Sequence, residues 1–295
     1  MKWFQIKEQS AGKKRLILSL YLYKIFGKNI LYLIAFFVSF TTFIIAAKVR
    51  SYSKKYFEIT YPYLKLEPTL LNQFKHIYSY AVSLVDKILV FCGDFDIDNI
   101  IFENEKDKKE LIDDVEKKNG VFLICNHIGN IEVFQTYALK YIKNKDFCVN
   151  IFISHKQSQI FNEFLEKIKI DFPAKTFLVE EMGINTGVEL KENLNRGDIV
   201  FIAGDRLSQN NTKCINEKLF NREILLPKGT YKLAKLMSVP TYFISALKFG
   251  NKYKIILEKQ EDLKEKDLAQ NFAKFLERVV KINPFQFFNF YDFFD

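Results

Sequence analysis

The sequence predicts an α/β protein: a mixed, mostly parallel sheet flanked by helices, with N-terminal membrane-associated helices in front of it. Three observations carry that prediction. From Val121 onward, apolar strand-like runs alternate with helical patterns, the rhythm of βαβ units with right-handed crossovers. Residues 30–47, Ile30 through Ala47, run for 18 positions without a charge. The formal net charge of +9 is concentrated at one end. Residues 1–55 hold eleven lysines and arginines against Glu8 alone, so the remaining 240 residues sum to −1.

The elements follow in order. Residues 13–28 read as a basic, aromatic-rich helix. The uncharged stretch 30–47, as a helix, would be roughly 27 Å long at 1.5 Å per residue, against a hydrocarbon core of about 30 Å. Lysine or arginine flanks both of its ends, so charge asymmetry sets no orientation. Two readings stand: a membrane-associated segment, spanning or lying in the interface, or a buried core helix. Residues 68–91 form an amphipathic helix. Pro68 starts it, and Leu70, Leu71, Phe74, Ile77, Tyr78, Ala81, Leu84, Val85, Ile88 and Leu89 make one apolar face. His76 lies near that face and reads as a packed or partly exposed histidine. Residues 94–120 suit a short strand and a surface helix.

Strands are expected at 121–126, 147–153 and 198–203, and helices at 131–142, 157–169 and 184–195. A hairpin follows between 214 and 227, then a helix at 229–238. A second hairpin joins strands 241–248 and 252–258 at Gly250-Asn251, and the last helix covers 265–281. With no repeat or low-complexity linker, the chain divides into an anchoring segment, 1–60, and one α/β domain, 61–295. The ending places seven aromatics between Phe285 and Phe294. A segment this apolar should dock on the core, or else line an acyl channel or touch the bilayer.

Composition narrows the function. Aromatic residues make up 16% of the chain, including 31 phenylalanines, which suggests surface that meets lipid or acyl chains. Cys92, Cys125, Cys148 and Cys214 show neither disulfide nor zinc spacing, so a reducing compartment and no metal are expected. Basic residues beside an apolar segment fit an anionic bilayer. A nucleic-acid binder would place such charge around a folded groove, so no nucleic-acid partner is expected.

The stretch with chemistry in it is Val121 to Glu132. Four apolar residues lead to Asn126 and His127, Gly129 lets the backbone turn, and Asn130 can cap the helix that carries Glu132. Ligands of open α/β sheets bind at this end of the strands. A neutral imidazole can take a proton from an attacking alcohol. A carboxylate on its other nitrogen fixes the tautomer and steadies the imidazolium. The bare spacing is weak: 3 histidines and 35 acidic residues in 295 positions give roughly 0.4 chance matches. On these residues alone, a catalytic and a structural role for His127 both remain open.

Asn126-His127-Ile128-Gly129-Asn130-Ile131-Glu132 resembles the HxGNxE/D signature of the lysophospholipid acyltransferase superfamily, in its lipid A biosynthesis acyltransferase branch. Val200 to Arg206 resembles the strand-plus-acid/Arg block that follows in these enzymes. Phe220-Asn221-Arg222 through Pro227-Lys228-Gly229 to Ala234 resembles their F-G-x-x-x-x-x-P-x-G-x-x-x-L-A block, and Val239-Pro240 resembles the start of their next strand. The aromatic ending and Lys2-Trp3 are similar to one subgroup of predicted acyltransferases. The chain departs from the pattern at Ile131, where Trp or Phe is usual, and at Asn221, where glycine is common.

The resemblance implies a glycerol-3-phosphate acyltransferase-like fold at the cytoplasmic face of a bacterial inner membrane. The implied reaction moves a fatty acyl group from acyl carrier protein or coenzyme A to a hydroxyl of a lipid or glycolipid acceptor. The thioester is a co-substrate, and no cofactor is implied. His127 would be the general base and Glu132 its orienting carboxylate. Asp205 and Arg206 would lie at the same sheet edge, Arg206 binding an acceptor phosphate or the developing oxyanion. Arg222 and Lys228 are candidates for donor phosphate contact, and Asn126 for positioning His127 or the donor. Two alternatives are a lipid ester hydrolase with the same dyad and a membrane-tethered binding protein. The hydrolase would need an activated nucleophile, and the chain has no Gly-x-Ser-x-Gly elbow.

Overall fold

The computed structural model describes residues 13–141, 147–153, 174–207, 213–261 and 264–294. Four helices lead: α1 (Lys13–Phe26), α2 (Lys28–Ile45), α3 (Ala47–Leu64) and α4 (Leu70–Phe91). The α/β part continues with β1 (Ile100–Phe102), α5 (Glu105–Glu116), β2 (Val121–Cys125), α6 (Glu132–Tyr141), β3 (Val149–Ile153), β4 (Ala174–Leu178), α7 (Ile184–Asn195) and β5 (Ile199–Ala203). Then come β6 (Cys214–Leu219), β7 (Arg222–Pro227), α8 (Lys228–Met237), β8 (Thr241–Phe249), β9 (Lys252–Gln260) and α9 (Glu265–Ile282).

Seven strands form one sheet in the order β1-β9-β8-β2-β5-β3-β4, and β6 and β7 form a separate antiparallel hairpin. Within the sheet only β8 and β9 pair antiparallel; the other neighbours are parallel. The mixed, mostly parallel sheet is therefore as expected. The continuous apolar run of β2 reflects burial on both faces. Phe122 and Ile124 join the core shared with α8 and α9, while Val121, Leu123 and Cys125 join the core shared with α5 and α6. Helix α9 meets the sheet with Leu268, Phe272, Phe275 and Val279, one apolar stripe at helical spacing.

Three features depart from the sequence reading or extend it. Strand β4 was not anticipated: it lies at the sheet edge, and Lys175 and Thr176 break its apolar pattern. Helix α3 was not anticipated either, because its charged residues dilute a narrow buried stripe of Ser53, Tyr56, Phe57 and Thr60. Tyr56 and Phe57 belong to the main core, so a division at residue 60 cuts through an element of the folded domain. The helix expected at 157–169 lies outside the described residues.

The aromatic ending docks on the core. Phe287 is 1% exposed, and its ring stacks on Tyr56 at 5.0 Å and meets Phe293 edge-on at 5.1 Å. Gln286 acts as a surrogate strand partner for Lys248. Its amide oxygen accepts from the Lys248 N–H at 2.9 Å, and its Nε2 donates to the Lys248 carbonyl at 2.7 Å.

His76 is packed, one of its two expected placements, and it holds that ending in place. The ring is buried between Tyr56, Phe57 and Phe290. Its Nε2 donates to the Phe287 carbonyl at 2.7 Å, which leaves Nδ1 to accept from Ser53 Oγ at 3.0 Å. Burial lowers its pKa to about 4, against a smaller upward pull from the Phe287 carbonyl. The unfolded chain binds this proton near pH 6.5, so His76 costs no stability above that pH and progressively more as pH falls toward 4. The total loss is about 3 kcal/mol. Denaturant unfolding in detergent at pH 7.5, 5.5 and 4.0 measures it, and His76→Gln should flatten this component of the pH dependence.

Candidate functional site

The register of the sheet builds the site. Strands β2 and β5 are parallel neighbours, with Cys125 opposite Ala203. Two residues beyond each of these, His127 and Asp205 leave the sheet side by side at its carboxyl edge. Asp205 is 1% exposed and grips His127 twice. Its Oδ2 accepts from the His127 backbone N–H at 2.9 Å, and its Oδ1 faces ring Nδ1 at 2.7 Å. Burial by itself would raise the Asp205 carboxyl. The facing imidazole, its hydrogen bonds and the charge of Arg206 instead hold it below its ordinary range. An ionised carboxylate only accepts, so Nδ1 carries a proton, and in the neutral ring Nε2 is the nitrogen that presents a lone pair. The His127 side chain is 34% exposed, so that nitrogen belongs to a half-open site.

Glu132 departs from its expected role. The carboxylate at Nδ1 is that of Asp205, and Glu132 pairs with Lys87 of α4. The turn through Gly129 explains the difference. Gly129 has φ +76°, and a Cβ there would collide with the Ala246 carbonyl oxygen. The chain is thus pressed against β8, with the Asn130 N–H donating to that same carbonyl at 2.9 Å. From this turn α6 departs toward α4, and its first residue meets Lys87 there. Burial pushes the Glu132 carboxyl up, but Lys87 outweighs it and holds the group below its usual value, with a smaller contribution from His127. Glu132 is thus electrostatically close to His127 without being its orienting partner.

The remaining candidates separate. Asn126 is buried and shapes the turn: its Oδ1 accepts from the Ile128 N–H at 3.0 Å, and Ser245 Oγ lies 3.2 Å away. Those bonds hold its side chain inside the turn. Arg206 was expected to meet an acceptor phosphate or an oxyanion. Instead its Nε donates to Asn289 Oδ1 and its NH2 to the Phe288 carbonyl, both at 3.0 Å, with the guanidinium over the Tyr291 ring. Arg206 thereby ties the C-terminal segment to the Asp205 loop.

Lys228 opens α8 and pairs with Glu265 at 3.3 Å. The first turn of α8 adjoins the site, since Thr230 Oγ1 donates to the Ala203 carbonyl at 3.2 Å and Tyr231 OH to the Gly204 carbonyl at 2.7 Å. Arg222 begins the same strand that Pro227 ends, roughly 17 Å away along β7 at 3.4 Å per residue. It is exposed beside the Phe220-Asn221 turn, whose contacts are Glu277 of α9 and Tyr63 of α3. The structure does not bring Arg222 to His127.

Two contributors carried no sequence signal. Lys87 is one lysine among many, and only the packing of α4 against α6 selects it. The backbone of the C-terminal segment is the other. The Phe288 N–H donates to the His127 carbonyl at 3.2 Å, and the Gly129 N–H donates to the Gln286 carbonyl at 3.0 Å. His127 is thus held from one side by Asp205 and from the other by the tail. Among the described residues no cluster of histidine, cysteine and carboxylate side chains suits a metal ion. A shallow depression lined by Asn216, Glu217, Glu223 and Lys274 lies on the β6–β7 hairpin against α9, apart from the strand ends that carry His127.

No family model matches the chain, and no curated protein matches it.

Proposed function

We propose that this chain is a membrane-associated O-acyltransferase that moves a fatty acyl group from a thioester to a hydroxyl of a lipid or glycolipid. The observation that carries the reading is His127 itself. Its Nδ1 is committed to a buried carboxylate at the carboxyl edge of a parallel sheet, and its Nε2 is left to act as base. In this reading Nε2 takes the proton of the acceptor hydroxyl as that oxygen attacks the thioester carbonyl. Asp205 steadies the imidazolium. The tetrahedral intermediate then expels the thiolate, which takes the proton back from Nε2. An acyl acceptor hydroxyl replaces the serine of a hydrolytic triad.

Supporting the lipid side of the reading, α2 is long and apolar enough to cross a membrane, and most of its large side chains are exposed. The resemblance of residues 126–132 to the lipid A branch of the lysophospholipid acyltransferases supplies the donor classes, acyl carrier protein and coenzyme A thioesters. It also supplies the proposed address, the cytoplasmic face of a bacterial inner membrane, and a glycerol-3-phosphate acyltransferase-like fold.

The test incubates purified full-length protein and its His127→Ala variant with acyl thioesters and candidate membrane lipids, and follows acylated lipid by mass spectrometry. Transfer by the parent and its loss in folded His127→Ala is expected. Unchanged transfer by the variant would sink the reading, and ester cleavage without a donor would replace it with a hydrolase.

A further inference from the structure

We infer that α2 lies in the plane of one anionic leaflet, packed on the domain as a monotopic anchor, and does not cross the bilayer. This rests on the membrane association proposed above and specifies its geometry. Helix α2 runs antiparallel along α4 for nearly its whole length. Tyr32 OH donates to Asp86 Oδ1 at 2.5 Å near the end of α4. Further along, Phe36 meets Tyr78 at 5.9 Å, and Phe43 meets Phe74 at 5.8 Å near its start. Leu31, Ala35 and Ser39, one stripe at four-residue spacing, are buried by this contact.

The partner helix cannot enter hydrocarbon. Helix α4 is also fastened to the polar framework of the domain, in part through the same Asp86 that meets Tyr32. Asp86, fully buried, accepts from Lys248 Nζ of β8 and from Tyr253 OH of β9, each at 2.5 Å. Lys87 pairs with Glu132, and His76 bonds the tail. A spanning α2 would draw these groups, and the sheet edge behind them, into the bilayer core, where charged side chains are costly.

The outer face of α2 fits the alternative. Leu33, Phe37, Phe40 and Ile44 are exposed along it at helical spacing, and Leu18, Tyr21 and Ile25 of α1 and Leu70 and Leu71 of α4 add exposed apolar surface beside it. Patches of this extent mark interaction surfaces. The charge around it selects the partner. Between residues 13 and 55 the chain has nine lysines and arginines and no acidic residue. Lys28 opens α2. Arg50 caps its other end by donating to the Phe43 and Ile44 carbonyls. An amphipathic element with apolar bulk and flanking cations lies about 5–10 Å deep in an anionic interface. The end of α4 that meets Tyr32 also carries Lys87, which pairs with Glu132, so one end of α4 connects α2 to the turn that follows His127.

The test reads topology and needs no activity. Single cysteines replace Lys28 and Lys48, either side of α2, in full-length protein with Cys92, Cys148 and Cys214 changed to Ser and Cys125 to Val. Right-side-out and inverted membrane vesicles are treated with a membrane-impermeant maleimide. Both cysteines should react in the same vesicle preparation and neither in the other; reaction from opposite sides overturns the inference. In the protein with its native cysteines, epitope tags at the two termini should both be cleaved from one side only. Opposite-side cleavage gives the same refutation. Phe37→Asp combined with Phe40→Asp should abolish co-sedimentation with phosphatidylglycerol vesicles while circular dichroism stays unchanged. Retained binding, or a parent protein that does not sediment with vesicles at all, overturns it as well.

Discussion

Asp205→Asn is expected to lower the rate constant of the proposed acyl transfer by about 10³–10⁴-fold while the protein stays folded. The reason is a count of acceptors. Asp205 accepts from both the backbone N–H and the ring Nδ1–H of His127. Asparagine has one acceptor oxygen and one donor amide in the same positions. If its oxygen keeps the backbone bond, its NH2 faces Nδ1, and the ring proton moves to Nε2, where it blocks base catalysis. If the side chain flips, the backbone N–H meets a donor and the turn loosens. Glu132→Gln leaves Nδ1 untouched and removes only the charge that faces Lys87, so a loss below about tenfold is expected. Single-turnover measurements with an acyl thioester, on variants matched by circular dichroism, decide between the carboxylates. A severe Glu132→Gln defect beside a mild Asp205→Asn defect would return the orienting role to Glu132.

Phe287→Ala is expected to destabilise the fold by about 3–5 kcal/mol, the range for emptying a buried aromatic site. Phe287 is a core residue despite its place near the end of the chain. Its ring lies among Tyr56, Phe293 and Phe294. Its carbonyl accepts from His76, and its backbone bridges to Ile128 beside the candidate base. The loss should therefore register twice. Denaturant unfolding should shift by the stated amount, with Phe249→Ala, at an exposed position, as the control. The turnover number should also fall under conditions where the variant is still folded, because Phe288 N–H no longer holds the His127 carbonyl in register. A shift under about 1 kcal/mol would show that the ending is a surface strap and not part of the core.

Much of this architecture was legible in the sequence. The uninterrupted apolar run of β2, the glycine-bearing turn after it and the two hairpins all came from local pattern, since burial on both faces, a positive φ at Gly129 and turn chemistry each leave a mark on neighbouring residues. Strand β4 and helix α3 left weaker marks. Each buries only a narrow stripe among charged residues, and their neighbours in space, not in sequence, make them elements.

The sequence by itself determined that a histidine emerges at the end of a buried strand and that a basic, apolar segment precedes the domain. It did not determine which carboxylate serves that histidine. Glu132 is five residues away and Asp205 seventy-eight, yet the parallel pairing of β2 and β5 sets Cys125 opposite Ala203, so the distant residue arrives beside the ring. The near one is carried off by the turn at Gly129 to a lysine on α4. The fate of α2 was likewise a tertiary matter. Hydropathy measures only length and apolarity, whereas the packing of α2 along α4, which is fixed through Asp86 to β8 and β9, decides which of its faces is left exposed.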